Sequence, residues 1–186
     1  MTSESSATAS PLARFEFEPH HCFACGSLNT HGLQLELHLE QGRSWTEFEL
    51  ERRFEGWEGI AHGGILCTIL DEVMAWALVA EDDWGVTARM GVTFRKPVPV
   101  GTRIRADGWI TRSRRRIVVT AGRIVDVATG VELATAEGTY VAADEAQKQR
   151  LRERYGFRAV PATAERATST DTREAVALAL SGSELR

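Results

Sequence analysis

The chain has 186 residues, 43% of them hydrophobic and 26% charged, with a net charge of -4. That is room for one compact domain with extensions rather than for two. The acidic balance argues against nucleic-acid or membrane-surface binding, and no apolar run approaches the ~20 residues a membrane span needs.

The opening MTSESSATASPL has neither a basic start nor an apolar centre. Residues 1–14 are therefore expected to be a disordered arm and not a secretory signal. Without an export signal, the three cysteines are expected to be reduced thiols in the cytoplasm. An ordered domain is expected over residues 15–143. Its first strand is LQLELHLE, where Leu33, Leu35, Leu37 and Leu39 alternate with Gln34, Glu36, His38 and Glu40, the period of a sheet with one buried face. Gln41 and Gly42 make a turn, and SWTEFELER returns as the second strand of a hairpin. The loop FEGWEGIAHGG then leads into one long helix, from about Gly64 to Ala80. Four strand-like runs follow, TARMGVTFRKPV, TRIRADGWITRS, RIVVTAGRIVDV and VELATAEGTYVA, divided by turn signals. The order predicts an α+β fold with a largely antiparallel sheet. Residues 144–186 read as a charged helix followed by a flexible tail, with a short helix near AVALAL.

The long helix is apolar on nearly every side. Ile65, Ile69, Val73, Trp76 and Ala80 lie along one side, and Leu66, Leu70, Met74 and Ala77 along another. Such a helix is wrapped rather than docked. Thr68, Asp71 and Glu72 interrupt it in one narrow stripe. Burying a carboxylate costs several kcal/mol unless something pairs with it, so this stripe is expected to meet water, a partner group or a reacting ligand. Neighbours on a helix point ~100° apart, so Asp71 and Glu72 do not both serve one site. Asp71 is the stronger functional candidate, and Glu72 reads first as polarity facing solvent or a subunit interface.

Gly63 and Gly64 stand just ahead, where the first N–H groups of a helix are unpaired and its dipole is positive. Preceded by His62, they suit developing negative charge, including the oxyanion of an attacked carbonyl. Asp71 lies about 12 Å along the axis from that end, too far to act there within one chain. A second copy with an antiparallel helix brings the two together across a two-fold interface.

The cysteines carry two further signals. HHCFACG holds a CxxC flanked by histidines, but no second Cys or His cluster follows, so a compact turn is expected at Cys22 and Cys25, with no metal and no cofactor. Cys67 reads as core.

The motifs His62-Gly63-Gly64, Leu70-Asp71-Glu72, Phe94-Arg95-Lys96-Pro97-Val98 and CFACG followed by His31-Gly32-Leu33 resemble those of the hotdog-fold thioesterases, in particular the PaaI-like acyl-CoA thioesterase group. The resemblance spans roughly His20 to Ala143. It implies a hotdog fold, a long central helix wrapped by a curved antiparallel sheet of five to six strands, assembled as a homodimer or a dimer of dimers. It also implies hydrolysis of an acyl-CoA to a free acid and CoA. On that likeness Asp71 activates water or attacks directly, the Gly64 N–H polarises the thioester carbonyl, His62 orients the loop, and Thr87 assists the water. Glu72 stays among the catalytic candidates because the family varies its carboxylate. Gly63, Trp57, Arg95, Lys96, Arg114 and Arg115 are the candidate substrate contacts: arginine forks suit the CoA phosphates, and Trp57 an acyl pocket. A noncatalytic acyl-CoA-binding module and a hydratase or dehydratase of the same fold are the alternative readings.

Overall fold

The computed structural model describes residues 13–156 and 158–161. Most of the expected arm and the segment AVALAL lie outside them. In chain order the elements are β1 (Ala13–Glu16), β2 (His38–Glu40), β3 (Arg43–Glu49), a 3-10 turn (Arg52–Phe54), α1 (Gly63–Val79), β4 (Gly85–Phe94), β5 (Arg103–Arg114), β6 (Ile117–Asp126), β7 (Glu132–Ala142), α2 (Glu145–Tyr155) and β8 (Arg158–Pro161). The strands form one antiparallel sheet in the order β4-β7-β6-β5-β3-β2-β1-β8.

Helix α1 packs against every strand from β2 to β7, so the sheet curls around it. Ile69, Leu70, Val73, Met74, Ala77 and Leu78 are 0% exposed. Each large side chain among them contributes about 1.5–3 kcal/mol by leaving water. The helix comes closest at Gly108 of β5, where an added Cβ would stand 2.4 Å from the Val73 carbonyl oxygen. Ser44, the register partner of Gly108 on β3, donates its hydroxyl to that same oxygen at 2.5 Å. A residue without a side chain and a small hydroxyl thus form the seat of the helix.

Five of the six strands and the long helix read from the sequence are present within a few residues of their expected bounds. The leucine alternation holds as burial, with Leu33, Leu35, Leu37 and Leu39 all 5% exposed or less. It does not hold as a strand throughout, since only His38–Glu40 joins the ladder. Gln34 adopts a left-handed φ of 53°, and the Leu33 and Leu35 N–H groups bond the Phe23 and Ala24 carbonyls, each at 2.8 Å. The segment therefore hangs from the CFACG turn rather than from a neighbouring strand. The sheet is also wider than five to six strands, because the short β1 and β8 extend one edge. The charged segment after Ala143 forms α2, which begins with a capping box between Asp144 and Gln147. Lys148 pairs with Asp83 at 2.8 Å and Arg152 with Asp82 at 2.9 Å, which holds α2 against the end of α1. No helix among the described residues is long and apolar enough to cross a membrane.

Candidate active site

Asp71 sits in the middle of α1 and faces the junction of β4 and β7. Its Oδ1 accepts from the Thr87 hydroxyl at 2.8 Å and from the Tyr140 hydroxyl at 2.9 Å. The Tyr140 oxygen also lies 3.1 Å from the Asp71 backbone carbonyl. Among the described residues nothing bonds Oδ2, which leaves one carboxylate oxygen available for a water or a carbonyl carbon. Tyr140 is 0% exposed, and its ionisation is pushed well above the usual range, first by burial and then by the charge of Asp71. The phenol therefore remains a donor.

Thr87 reaches Asp71 because β4 is irregular. It pairs with Tyr140 across the ladder, whereas Arg89 pairs with Thr139, so Ala88 is the extra residue of a bulge. Met90 and Val92 pack on the core. Strict alternation would put Ala88 and Val86 on that same face and turn Thr87 away. The bulge changes the phase and brings Thr87 in. Thr87 was legible in the sequence from the resemblance. Tyr140 was missed, because a tyrosine in the strand VELATAEGTYVA carries no local sign of its partner 69 residues away.

At the start of α1, His62 is the N-cap, and its Nδ1 accepts from the Gly64 N–H at 2.9 Å. The bond requires a lone pair on Nδ1, so in the neutral ring the proton is on Nε2. The Gly64 N–H is not open to a carbonyl here but satisfied by the side chain two residues earlier. The neighbouring surface divides into two hollows. One, of about 320 Å³, is lined by Gly63, Leu66, Phe94, Arg95 and Lys96 among others. The other, of about 340 Å³, is lined by Arg53, Phe54, His62, Gly64 and Thr68 among others.

Glu72 lies apart from Asp71, as their angular separation on the helix requires, and departs from the solvent-facing expectation. It does not share the Asp71 site, nor does it face solvent. It turns toward the CFACG turn, accepts from Trp76 Nε1 at 2.8 Å and lies 4.0 Å from Cys22 Sγ. Burial raises its carboxyl to about 7, aided by the charge of Cys22. The Cys25 thiol donates to Cys22 and holds the latter down at about 5, while Cys25 itself is raised.

Trp57 is 86% exposed and lines neither hollow. Its loop closes on itself through the Glu55–Ala61 bridge and the Gly59 N–H bond to Glu55, which projects the indole outward. Arg95 pairs with Glu132 at 3.6 Å and stays with Lys96 beside Gly63. Arg114 and Arg115 lie elsewhere. Arg114 faces Ile117 at the hairpin tip, in line with Val141 and Val86 at the far end of β4 from Phe94. A strand of that length separates the two basic pairs by about 26 Å, so one chain does not bring all four to the same phosphates.

Residues 58–132, which include the HGG turn, α1 and strands β4 to β6, match the family model of the thioesterase superfamily. Over that segment the chain is similar to the thioesterase superfamily. The hotdog fold is shared with solved structures throughout the match. The smu.793 protein of Streptococcus mutans bound to acetyl CoA aligns with a TM-score of 0.56 at 20% identity, covering 59% of this chain and 88% of that one. The PaaI protein of the E. coli phenylacetic acid degradation operon gives 0.57 at 17%, covering 60% and 81%. A mutant of the phenylacetic acid degradation protein PaaI from Thermus thermophilus gives 0.56 at 24%, covering 60% and 95%. No curated protein matches the sequence. In this hotdog chain the carboxylate of the central helix is thus held by one hydroxyl from each of the two adjoining strands, β4 and β7.

Proposed function

We propose that the protein is a PaaI-like acyl-CoA thioesterase in which Asp71 supplies the catalytic carboxylate. The observation that carries this is the Asp71 carboxylate itself, fixed through Oδ1 by Thr87 and Tyr140 with Oδ2 left unbonded. A carboxylate oriented by two donors and open on its second oxygen suits the activation of a water for attack. A thioester needs no strong acid for its leaving group, since a thiol has a pKa of about 8.5.

In the proposed step, Oδ2 takes a proton from water as the water oxygen attacks the thioester carbonyl. The oxyanion accepts from a backbone N–H at the start of α1, and collapse expels the CoA thiolate. The Gly64 N–H serves that role once the His62 ring yields its bond, and the Gly63 N–H lies beside it. The helix rise of about 12 Å between Gly63 and Asp71 argues that the two halves come from different copies of the chain. Strand β4, an edge strand with Val86 71% and Phe94 51% exposed, is an apolar surface for that second copy. Arg95 and Lys96, beside Gly63, are suited to the phosphates of CoA. The bound acetyl CoA of the streptococcal neighbour is consistent with this substrate class.

The test is free-thiol release from a panel of short, long and aromatic acyl-CoAs, comparing the wild type with Asp71→Asn. Turnover by the wild type and a loss of about 100-fold or more in a folded variant support the reading. Tight acyl-CoA binding without turnover by the wild type points instead to a binding module. An exchange between enoyl- and hydroxyacyl-CoA points to a hydratase.

A further inference from the structure

The sequence holds one CxxC and no second pair of cysteines or histidines, but the fold supplies the missing partners from a distance. Cys22 Sγ, Cys25 Sγ and a carboxylate oxygen of Glu72 all lie within 4.8 Å of one another. His20 is 5% exposed, and its Nε2 stands 3.4 Å from Cys25 Sγ. Its Nδ1 is 3.0 Å from the Glu18 carbonyl, a bond that places the proton on Nδ1 and leaves the Nε2 lone pair facing the thiols. This is the way a metal-binding histidine is oriented from behind.

The spacings bear on what the cluster holds. With zinc bonds of about 2.3 Å to sulfur and 2.0–2.2 Å to nitrogen or oxygen, the edges of a tetrahedral site run about 3.5–3.8 Å. Two of the six edges are near these values, 3.4 Å from His20 to Cys25 and 4.0 Å from Cys22 to Glu72, while His20 lies outside the trio that stands within 4.8 Å and its ring moves inward to complete the tetrahedron. Charge points the same way, because a buried carboxylate beside two thiols is costly without a cation, and among the described residues no lysine or arginine pairs with Glu72. The turn is built to hold the set. The Gly26 N–H bonds the Cys22 carbonyl at 3.0 Å, and a Cβ on Gly26 would fall 2.4 Å from the Cys22 nitrogen.

We infer that Cys22, Cys25, Glu72 and His20 bind a divalent transition metal of zinc type, as a structural site separate from the Asp71 chemistry. Binding releases to solvent the protons still held by the thiols and the carboxyl, and three anionic ligands with one neutral imidazole close a tetrahedron. The ion fastens the 20–26 turn to α1 at the residue next to Asp71. Through the Leu33 and Leu35 N–H bonds to Phe23 and Ala24, it also fastens the leucine segment.

The full-length chain purified without chelator is analysed for metal by elemental mass spectrometry. The reduced chain, stripped by dialysis, is then titrated with Co²⁺. About one zinc-type ion per chain is expected, with the thiolate-to-cobalt charge-transfer bands and intense d–d bands of a tetrahedral site. Glu72→Gln and His20→Ala are each expected to weaken Co²⁺ binding at least 10-fold while keeping thiolate bands. Cys22→Ser is expected to reduce those bands to the intensity of a single thiolate, and the Glu72→Gln and His20→Ala variants keep the inference testable should that protein fail to fold. No co-purifying metal and no thiolate bands would overturn it, as would a Cys22–Cys25 disulfide, detected by intact mass, as the resting state. Unchanged affinity in Glu72→Gln would also refute this ligand set. None of these readouts depends on thioester hydrolysis.

Discussion

Replacing Tyr140 with Phe removes a single oxygen from a site where nothing else changes shape. The ring is 0% exposed, so its packing and transfer free energy are retained. The bond lost is to a carboxylate at 2.9 Å, and hydrogen bonds to charged groups contribute about 1.5–3 kcal/mol. Thr87 still donates to the same Oδ1 at 2.8 Å, so the carboxylate is not left bare and the lower half of that range is expected. Urea unfolding of Tyr140→Phe should therefore show a loss of about 1.5–2 kcal/mol with an unchanged slope. A second cost falls on activity. Asp71 swings more freely about its side-chain torsions, and kcat/KM on the best acyl-CoA should fall about 10-fold, the equivalent of roughly 1.4 kcal/mol. Thr87→Val should act similarly alone, and the double variant should lose more than the sum, since each donor partly covers for the other. Stability within about 0.5 kcal/mol of wild type in Tyr140→Phe, with unaltered turnover, would refute the claim that this hydroxyl holds the carboxylate.

Other outcomes follow from the same geometry. Because Tyr140 is raised above its ordinary value of 10.0, the unfolded chain loses the phenolic proton first as pH rises. The stabilising contribution is whole below about pH 10 and drains away above it, so stability measured by denaturant across that range should fall more steeply for wild type than for Tyr140→Phe. Gly108→Ala pushes a methyl to 2.4 Å from the Val73 oxygen, and a loss of about 3 kcal/mol or failure to fold is expected on thermal melting. His62→Ala deletes the N-cap of α1 and should lower stability by about 0.5–2 kcal/mol in urea unfolding.

How far the sequence could be read depended on the range of each cause. The α1 pattern, the four strands after it and the charged helix after Asp144 are local, and each is written in consecutive residues. Leu33 to Leu39 showed the limit of that logic. Their alternation correctly marks a buried face, but burial of alternate side chains does not require a ladder, and the ladder is absent before His38. The strands β1 and β8 are too short for a period to register, and they exist because they pair with each other. Glu72 could not be placed from its helical position alone, because its surroundings come from a turn 50 residues earlier. Trp57 read as a pocket wall because aromatic residues often line pockets, yet its loop had enough internal bonds to close without the indole. The site residues divide the same way. His62 and the glycines share one turn, while the Asp71, Thr87 and Tyr140 cluster needs three elements and a change of strand phase.

That change of phase carries a consequence for the history of the chain. Ala88 is the one residue of β4 that the ladder does not need. A gene that lost its codon would make a regular strand in which Thr87 still points inward opposite Tyr140 and Met90 still reaches the core. A gene that lost a codon between Met90 and Phe94 would instead turn the far half of the strand over. Length variation among descendants of this sequence should therefore gather at position 88 and be scarce a few residues on.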